Sequence, residues 1–210
     1  MSLELLYFAN PMCSWCWGFQ PVTRTLAERG YPITLALGTL GADRARPMRD
    51  VDKATVREHW QHVVERTGQP FDFGFFDREG FVYDTEPPSR AIAVVRRHYP
   101  ALAVPFLGRL QERFYASGQD ITDPSVLRDA AGEFGIEPER FDRTFDDPAT
   151  AAEVAAEWQQ TAGLGVTGYP TLLALRPGRP AVVTIGWRPI DEILASLDAL
   201  QDDSFAGASR

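Results

Sequence analysis

The chain has 210 residues, 44% of them hydrophobic and 24% charged, with a formal net charge of -8. That length suits one domain, or one domain carrying a large insertion, and the apolar fraction excludes a disordered polypeptide. No apolar run approaches the ~18 residues a membrane helix needs, and an acidic balance without a basic block argues against nucleic acid as the main partner.

Leu3 to Phe8, rich in Leu and aromatics, reads as a β-strand that stops at the turn signal Asn10-Pro11. A helix is expected from Ser14 to Arg29, with Phe19, Val22 and Leu26 on its apolar face and Gly30 as its stop, and then a strand from Ile33 to Leu37. Strand, helix, strand of this kind folds as a right-handed βαβ unit. The middle, from about Ala45 to Gly163, reads as helical. Expected helices cover Thr55 to Thr67, Ser89 to His98, Ala101 to Ser117, Pro124 to Phe134, Pro138 to Phe145, and a last one capped by Asp147-Pro148 and reaching Gln160. Between the first two lies an aromatic loop, Phe71 to Phe76. Strands return at Thr171 to Leu175 and Val182 to Ile185, joined by the turn 176–180. A closing helix follows from Pro189 to Leu200, with a polar, frayed tail from Gln201. The order predicts one α/β domain, residues 1–44 and 148–210, interrupted by a helical one, residues 45–147.

The only two cysteines, Cys13 and Cys16, stand two residues apart, between the first strand and the first helix. A disulfide closing so small a loop constrains the unfolded chain little, which argues against a structural staple. Zinc needs about four ligands, and His59, His62 and His98 make no matching pair with the thiols; no metal is expected. At a helix start, unpaired N–H groups and the positive end of the helix dipole favour an anion, so Cys13 is expected to be the nucleophilic thiolate. Cys16, about one turn further on, is placed to resolve a mixed disulfide on Cys13. Pro11, Ser14 and Trp15 make up the rest of the motif's surroundings. Trp15, Trp17 and Phe19 read either as an apolar substrate platform or as the inner face of the helix. Far along the chain, Gly168-Tyr169-Pro170 precedes a strand, and the proline there is open to a cis or a trans reading.

Residues 7–19, Tyr7-Phe8-Ala9-Asn10-Pro11-Met12-Cys13-Ser14-Trp15-Cys16-Trp17-Gly18-Phe19, together with Gly165 to Thr171, resemble the DsbA family of thioredoxin-fold proteins. The likeness is to the cytoplasmic, FrnE-like branch described as protein-disulfide isomerases, and it extends over nearly the whole chain. It implies a thioredoxin fold split by a helical insertion. It also implies a cis peptide before Pro170 that faces the two cysteines, and a Tyr169 backbone that hydrogen-bonds an extended substrate. Three departures set expectations of their own. Ser14-Trp15 replaces the Pro-His of strong oxidants, so the Cys13 thiolate is expected to be less stabilised than theirs. Tyr7 stands where those oxidants bury a proton-moving acid, so that assistance is expected to be missing. Tyr169 is bulkier than the usual residue before the proline, so a narrower peptide groove is expected.

The leading functional expectation is a thiol–disulfide oxidoreductase acting on protein or small-molecule disulfides, with no bound cofactor and with glutathione as a candidate cosubstrate. The N-terminus lacks the pattern of a signal peptide, so the cytoplasm is the expected compartment. The alternatives are a glutathione-dependent transferase or isomerase, of the kappa-class or hydroxychromene-carboxylate isomerase type, and a client-binding module. Ser89 is expected as a helix N-cap or as a first-turn residue behind Thr85, and Arg90 either as an anion contact near the cleft or as a plain surface arginine.

Overall fold

The computed structural model describes residues 3–41, 46–176 and 180–207, with side chains as far as Asp202. The first expected unit is present as strand β1 (Glu4–Ala9), helix α1 (Ser14–Glu28) and strand β2 (Ile33–Leu37), with β1 and β2 parallel. Strands β3 (Thr171–Leu175) and β4 (Ala181–Ile185) complete one sheet in the order β2-β1-β3-β4, the last two pairings being antiparallel. This is the α/β thioredoxin arrangement, with helices between its two halves. The expected boundary at 44/45 and the centre of the turn 176–180 lie outside the described residues.

The outer edge of β2 is covered by side chains rather than by another strand. From helix α7 (Pro148–Gly163), the Thr161 hydroxyl donates to the Leu37 carbonyl and the Glu157 carboxylate accepts the Leu37 N–H. Arg96, of helix α3 (Glu86–His98), donates to the Leu35 carbonyl and pairs with Glu157 at 2.7 Å. Edge groups satisfied in this way are unavailable to another strand. Within α1, Pro21 has no N–H to give the Trp17 carbonyl, and the Gln69 side-chain amide donates to that carbonyl instead at 2.9 Å.

The helical block differs from expectation mainly at its ends. Helix α2 begins at Asp50, not Thr55, because the Asp52 carboxylate accepts the Arg49 N–H and guanidinium and so caps the first turn. Gly68, at φ 70°, ends it. Helix α3 starts with Glu86-Pro87-Pro88, since first-turn prolines lose no helical bond. Ser89 is therefore not the cap: it lies inside the first turn and donates to the Thr85 carbonyl at 2.7 Å. The expected helix 101–117 is three segments, a 3-10 turn (Pro100–Leu102), helix α4 (Ala103–Gln111) and a π turn (Glu112–Ala116) that buries the consecutive Phe114 and Tyr115. Helices α5 (Pro124–Gly132) and α6 (Pro138–Phe145) lie close to their expected positions. The closing helix α8 runs from Ile190 to Gly207, past the expected fray at Gln201, because no helix breaker intervenes before Gly207. Among the described residues no helix is long and apolar enough to cross a membrane.

The aromatic loop is a 3-10 turn, Phe73–Asp77, wrapped around Trp60 of α2. The Trp60 ring lies 4.7–6.0 Å, centroid to centroid, from Phe71, Phe73, Phe75, Phe76, Phe114 and Tyr115. Phe75 and Phe76 thus lie in the core of the helical block, with the half-buried Phe71 and Phe73 packed against it. Trp60→Ala is expected to cost roughly 3–5 kcal/mol, read as a lower denaturation midpoint with an unchanged slope.

Candidate functional site

The site is built on the turn between β1 and α1. The Asn10 side chain accepts the Met12 N–H at 2.8 Å and donates to the Gly38 carbonyl at 2.7 Å, while the Asn10 carbonyl accepts the Cys13 N–H at 3.1 Å. Gln111 of α4 also donates to the Asn10 carbonyl, and the Tyr83 hydroxyl donates to the Met12 carbonyl at 2.6 Å. These bonds place Cys13 as the N-cap of α1, in extended backbone geometry and with no side-chain cap bond of its own. No acidic residue stands in the first turn to offset the positive helix end. From the sequence Asn10 reads only as part of a turn signal, and Tyr83 is not singled out as a site residue.

Both thiols are free and both are buried, Cys13 at 8% exposure and Cys16 at 0%. They are not equivalent. The Cys13 thiol is pulled below the ordinary cysteine value, first by a hydrogen bond from the Cys16 side chain and further by the Cys16 and Trp15 N–H groups, against the opposing effect of burial. The Cys16 thiol is pushed well above the ordinary value by burial and by its neighbour Cys13. The asymmetry matches a nucleophile followed by a resolving thiol. Beneath Cys16, the buried Tyr7 hydroxyl donates a hydrogen bond to its sulfur, which opposes that rise. A hydroxyl, rather than a carboxylate, therefore reaches the resolving cysteine.

The Tyr169–Pro170 peptide is cis, and the Tyr169 carbonyl accepts a hydrogen bond from the Cys13 thiol at 3.5 Å. Residues 156 positions apart in the chain thus meet. Gly168 turns the chain just before them, its carbonyl accepting the Thr171 hydroxyl at 2.8 Å. A cleft of about 390 Å³ opens over Cys13, Ser14 and Trp15. Met12, Val56, Trp60 and Tyr83 give it an apolar lining together with Leu40 and Met48, and Arg46, Asp52 and His59 supply its polar groups. The α2 residues and Arg46 carried no signal in the sequence, since only the fold brings them to the cysteines. Among the described residues no group of three or more His, Cys, Asp or Glu side chains is placed to hold a metal.

Other expected residues lie elsewhere. Trp17, expected at the substrate, is instead stacked on Tyr115, with its indole N–H on the Pro70 carbonyl at 3.1 Å, and it does not line this cleft. The reason is helical periodicity: one position beyond Cys16, the side chain turns toward α4 and the π turn. Phe19 is fully buried on the inner face. Pro11 is buried in the turn. Arg90 is bound by Glu86 at 2.5 Å and lies over the Phe145 ring, away from the cleft, so it contacts no anion there.

A family model of DSBA-like thioredoxin domains matches residues 4–197. The chain belongs to this family. Its fold is similar to that of a candidate protein disulfide isomerase from Nitrosomonas europaea, with 31% identity, a TM-score of 0.87, and coverage of 97% of this chain and 99% of that one. It is also similar to the cytosolic disulfide reductase DsbM from Pseudomonas aeruginosa, with 27% identity, a TM-score of 0.78, and coverage of 95% and 99%; that protein has also been solved with glutathione. Among curated proteins it is similar to the ClpXP adapter protein SpxH of Bacillus subtilis, 24% identical over 172 residues, which are 81% of this chain and 57% of that protein. The chain thus spans less than two thirds of the length of this curated relative.

Two outcomes test the two-thiol geometry. The pH midpoint of Cys13 alkylation by iodoacetamide should rise by roughly one unit in Cys16→Ala, and by less in Cys16→Ser, which keeps a donor. An unmoved midpoint in Cys16→Ala would assign the lowering to the helix terminus alone. Tyr7→Phe removes a donor from the Cys16 sulfur, so it should leave Cys13 alkylation intact but slow resolution of a mixed disulfide roughly tenfold, as read by quenched mass spectrometry.

Proposed function

We propose that this chain is a thiol–disulfide oxidoreductase working through Cys13 and Cys16. The observation that carries the reading is the meeting of Cys13, at the N-terminus of α1, with the Tyr169 carbonyl beside Pro170, while the free thiol of Cys16 lies buried one turn behind it; a lowered Cys13 thiol and a raised Cys16 thiol accord with that geometry. The Cys13 thiolate attacks one sulfur of a substrate disulfide, the first thiol leaves with a proton, and a mixed disulfide forms beside Tyr169 and Pro170. The Cys16 sulfur, losing its proton, then attacks Cys13, and the second thiol departs. The substrate gains two electrons and the chain holds a Cys13–Cys16 disulfide. Net direction follows from the potential of this couple against that of its compartment. The similarity to a reductase solved with glutathione supports small thiols, glutathione among them, as partners, and the reducing cytoplasm as a setting. In this reading residues 1–44 and 148–210 carry the chemistry and 45–147 shape access to it.

A second reading, a client-binding module, is favoured by the similarity to adapter proteins. It needs no thiols, so binding that survives in the double variant Cys13→Ser/Cys16→Ser would support it. The glutathione-transferase reading leaves Cys16 without a task, although its sulfur lies within hydrogen-bond reach of Cys13.

A glutathione redox titration read by tryptophan fluorescence, with Trp15 in the cleft and Trp17 in the same helix turn as Cys16, should show one reversible two-electron transition. Cys13→Ser should abolish exchange, and Cys16→Ser should accumulate mixed disulfide. Exchange at the wild-type rate in Cys13→Ser would sink the assignment.

A further inference from the structure

We propose that Arg46, at the rim of the cleft over Cys13, is a specificity-determining residue that selects small disulfides carrying carboxylates. This rests on the oxidoreductase reading and narrows its substrate class. Helix α2 gives the cleft one wall through Asp52, Thr55, Val56, His59 and Trp60. Steps of three and four residues put these side chains on one helical face, which runs ~12 Å at about 1.5 Å per residue. Cys13 opens on the same space, so the reacting sulfur and the charged end of that face share one cavity.

Among the described residues that line the cleft, the charged pair is Arg46 and Asp52, and His59 is the other group able to take a positive charge. The Asp52 carboxylate is already engaged by a second guanidinium. Arg49 donates to it from Nε at 3.0 Å and from Nη2 at 3.1 Å, and the Arg49 N–H adds a bond at 3.0 Å. Arg46 reaches the same carboxylate with Nη1 alone, at 2.9 Å, and that nitrogen also meets the Pro47 carbonyl at 3.4 Å. One carboxylate thus holds two guanidiniums, which leaves the rim with an excess positive charge. Nε and Nη2 of Arg46 have no partner among the described residues, and its side chain is 52% exposed. That is the edge Arg49 uses on Asp52, and on Arg46 it remains open to a second carboxylate.

Arg46 leads into a fixed stretch of backbone. Pro47 forms an antiparallel bridge with Val82, and the Met48 N–H donates to the Phe81 carbonyl at 2.9 Å. A donor held in place loses less freedom when it binds. The chain as a whole, at -8, repels anions, but salt screens that field over ~8–10 Å. Charge selection at the sulfur is therefore made by the groups lining the cleft, and these favour a negative ligand. The cleft volume of about 390 Å³ is that of a small-molecule pocket.

The test uses the fully reduced full-length protein in single turnover, in which the dithiol reduces one substrate disulfide to two thiols and becomes a disulfide itself. Three disulfides of similar size are compared: dithiodipropionate with two carboxylates, hydroxyethyl disulfide with no charge, and cystamine with two ammonium groups. Dividing each rate constant by that of free dithiothreitol with the same disulfide removes intrinsic reactivity. The wild type should favour dithiodipropionate over the neutral disulfide, and the neutral one over cystamine. Arg46→Gln should lower the preference for dithiodipropionate roughly three- to tenfold, and Arg46→Glu should turn it into a preference for cystamine. Arg97→Gln, which removes the same charge from the last turn of α3, should keep the wild-type ratios. A flat order in the wild type, ratios unmoved in Arg46→Gln, or an equal shift in Arg97→Gln would overturn the role of Arg46 while the oxidoreductase reading stands. So would a wild-type protein that reduces insulin but none of the three. Failure to reduce any of the four would strike the oxidoreductase reading, and the proposal with it.

Discussion

Asn10 is the constraint on which the site depends. Its side chain is fully buried, and both its donor and its acceptor are used: the amide N–H on the Gly38 carbonyl, the oxygen on the Met12 N–H. Its backbone carbonyl takes the Cys13 N–H and the Gln111 amide. One residue thereby joins the end of β1, the end of β2, the start of α1 and helix α4. A buried polar group whose partners are all supplied in place is costly to disturb, since any shift leaves a donor or acceptor dry. The same bond network fixes Gly38, on which the Tyr169 ring lies, so the position of the nucleophile and the shape of its surroundings are set by one junction.

The helical block reaches that junction through aromatic packing. Trp60 holds Phe71, Phe75, Phe76 and Phe114 around it and also lines the cleft over Cys13. Tyr83, packed edge-on to Phe75, Phe81 and Phe114, sends its hydroxyl out of that cluster to the Met12 carbonyl, one residue before the nucleophile. Stacked and edge-to-face rings of this kind hold their relative orientation as well as burying area. The block is therefore both a wall of the cleft and a support of the turn that presents the sulfur.

The chemistry follows from an asymmetry within a few ångströms. Cys13 sits at a helix end with N–H groups and a thiol donating to it, whereas Cys16 sits in the interior, where burial favours the neutral form. Where an acidic side chain in this place would add charge beneath the resolving thiol, Tyr7 adds only a hydrogen bond, and its own proton is held firmly by burial. In the proposed reaction the resolving step would draw on this hydrogen bond.

Much of this was legible in residue order. Cys13 and Cys16 after a strand and before a helix, the proline before β3, and the turns at Asn10-Pro11 and Gly68 act through local geometry, which a sequence carries directly. Periodicity likewise located the strands and most helices; it missed the Asp52 cap that starts α2 at Asp50, the prolines that start α3 at Glu86, ahead of Ser89, and the π turn at Glu112–Ala116. What the sequence by itself determined is the family, the thioredoxin order of elements and the two thiols. Only the tertiary structure decided that Tyr169 lies on Gly38, that Tyr7 serves Cys16, that Trp17 faces the core and that Trp60, Tyr83 and His59 line the cleft. Apart from the Tyr7–Cys16 pair, these are contacts between residues dozens of positions apart, and no spacing along the chain encodes which side chains meet once the helices have packed.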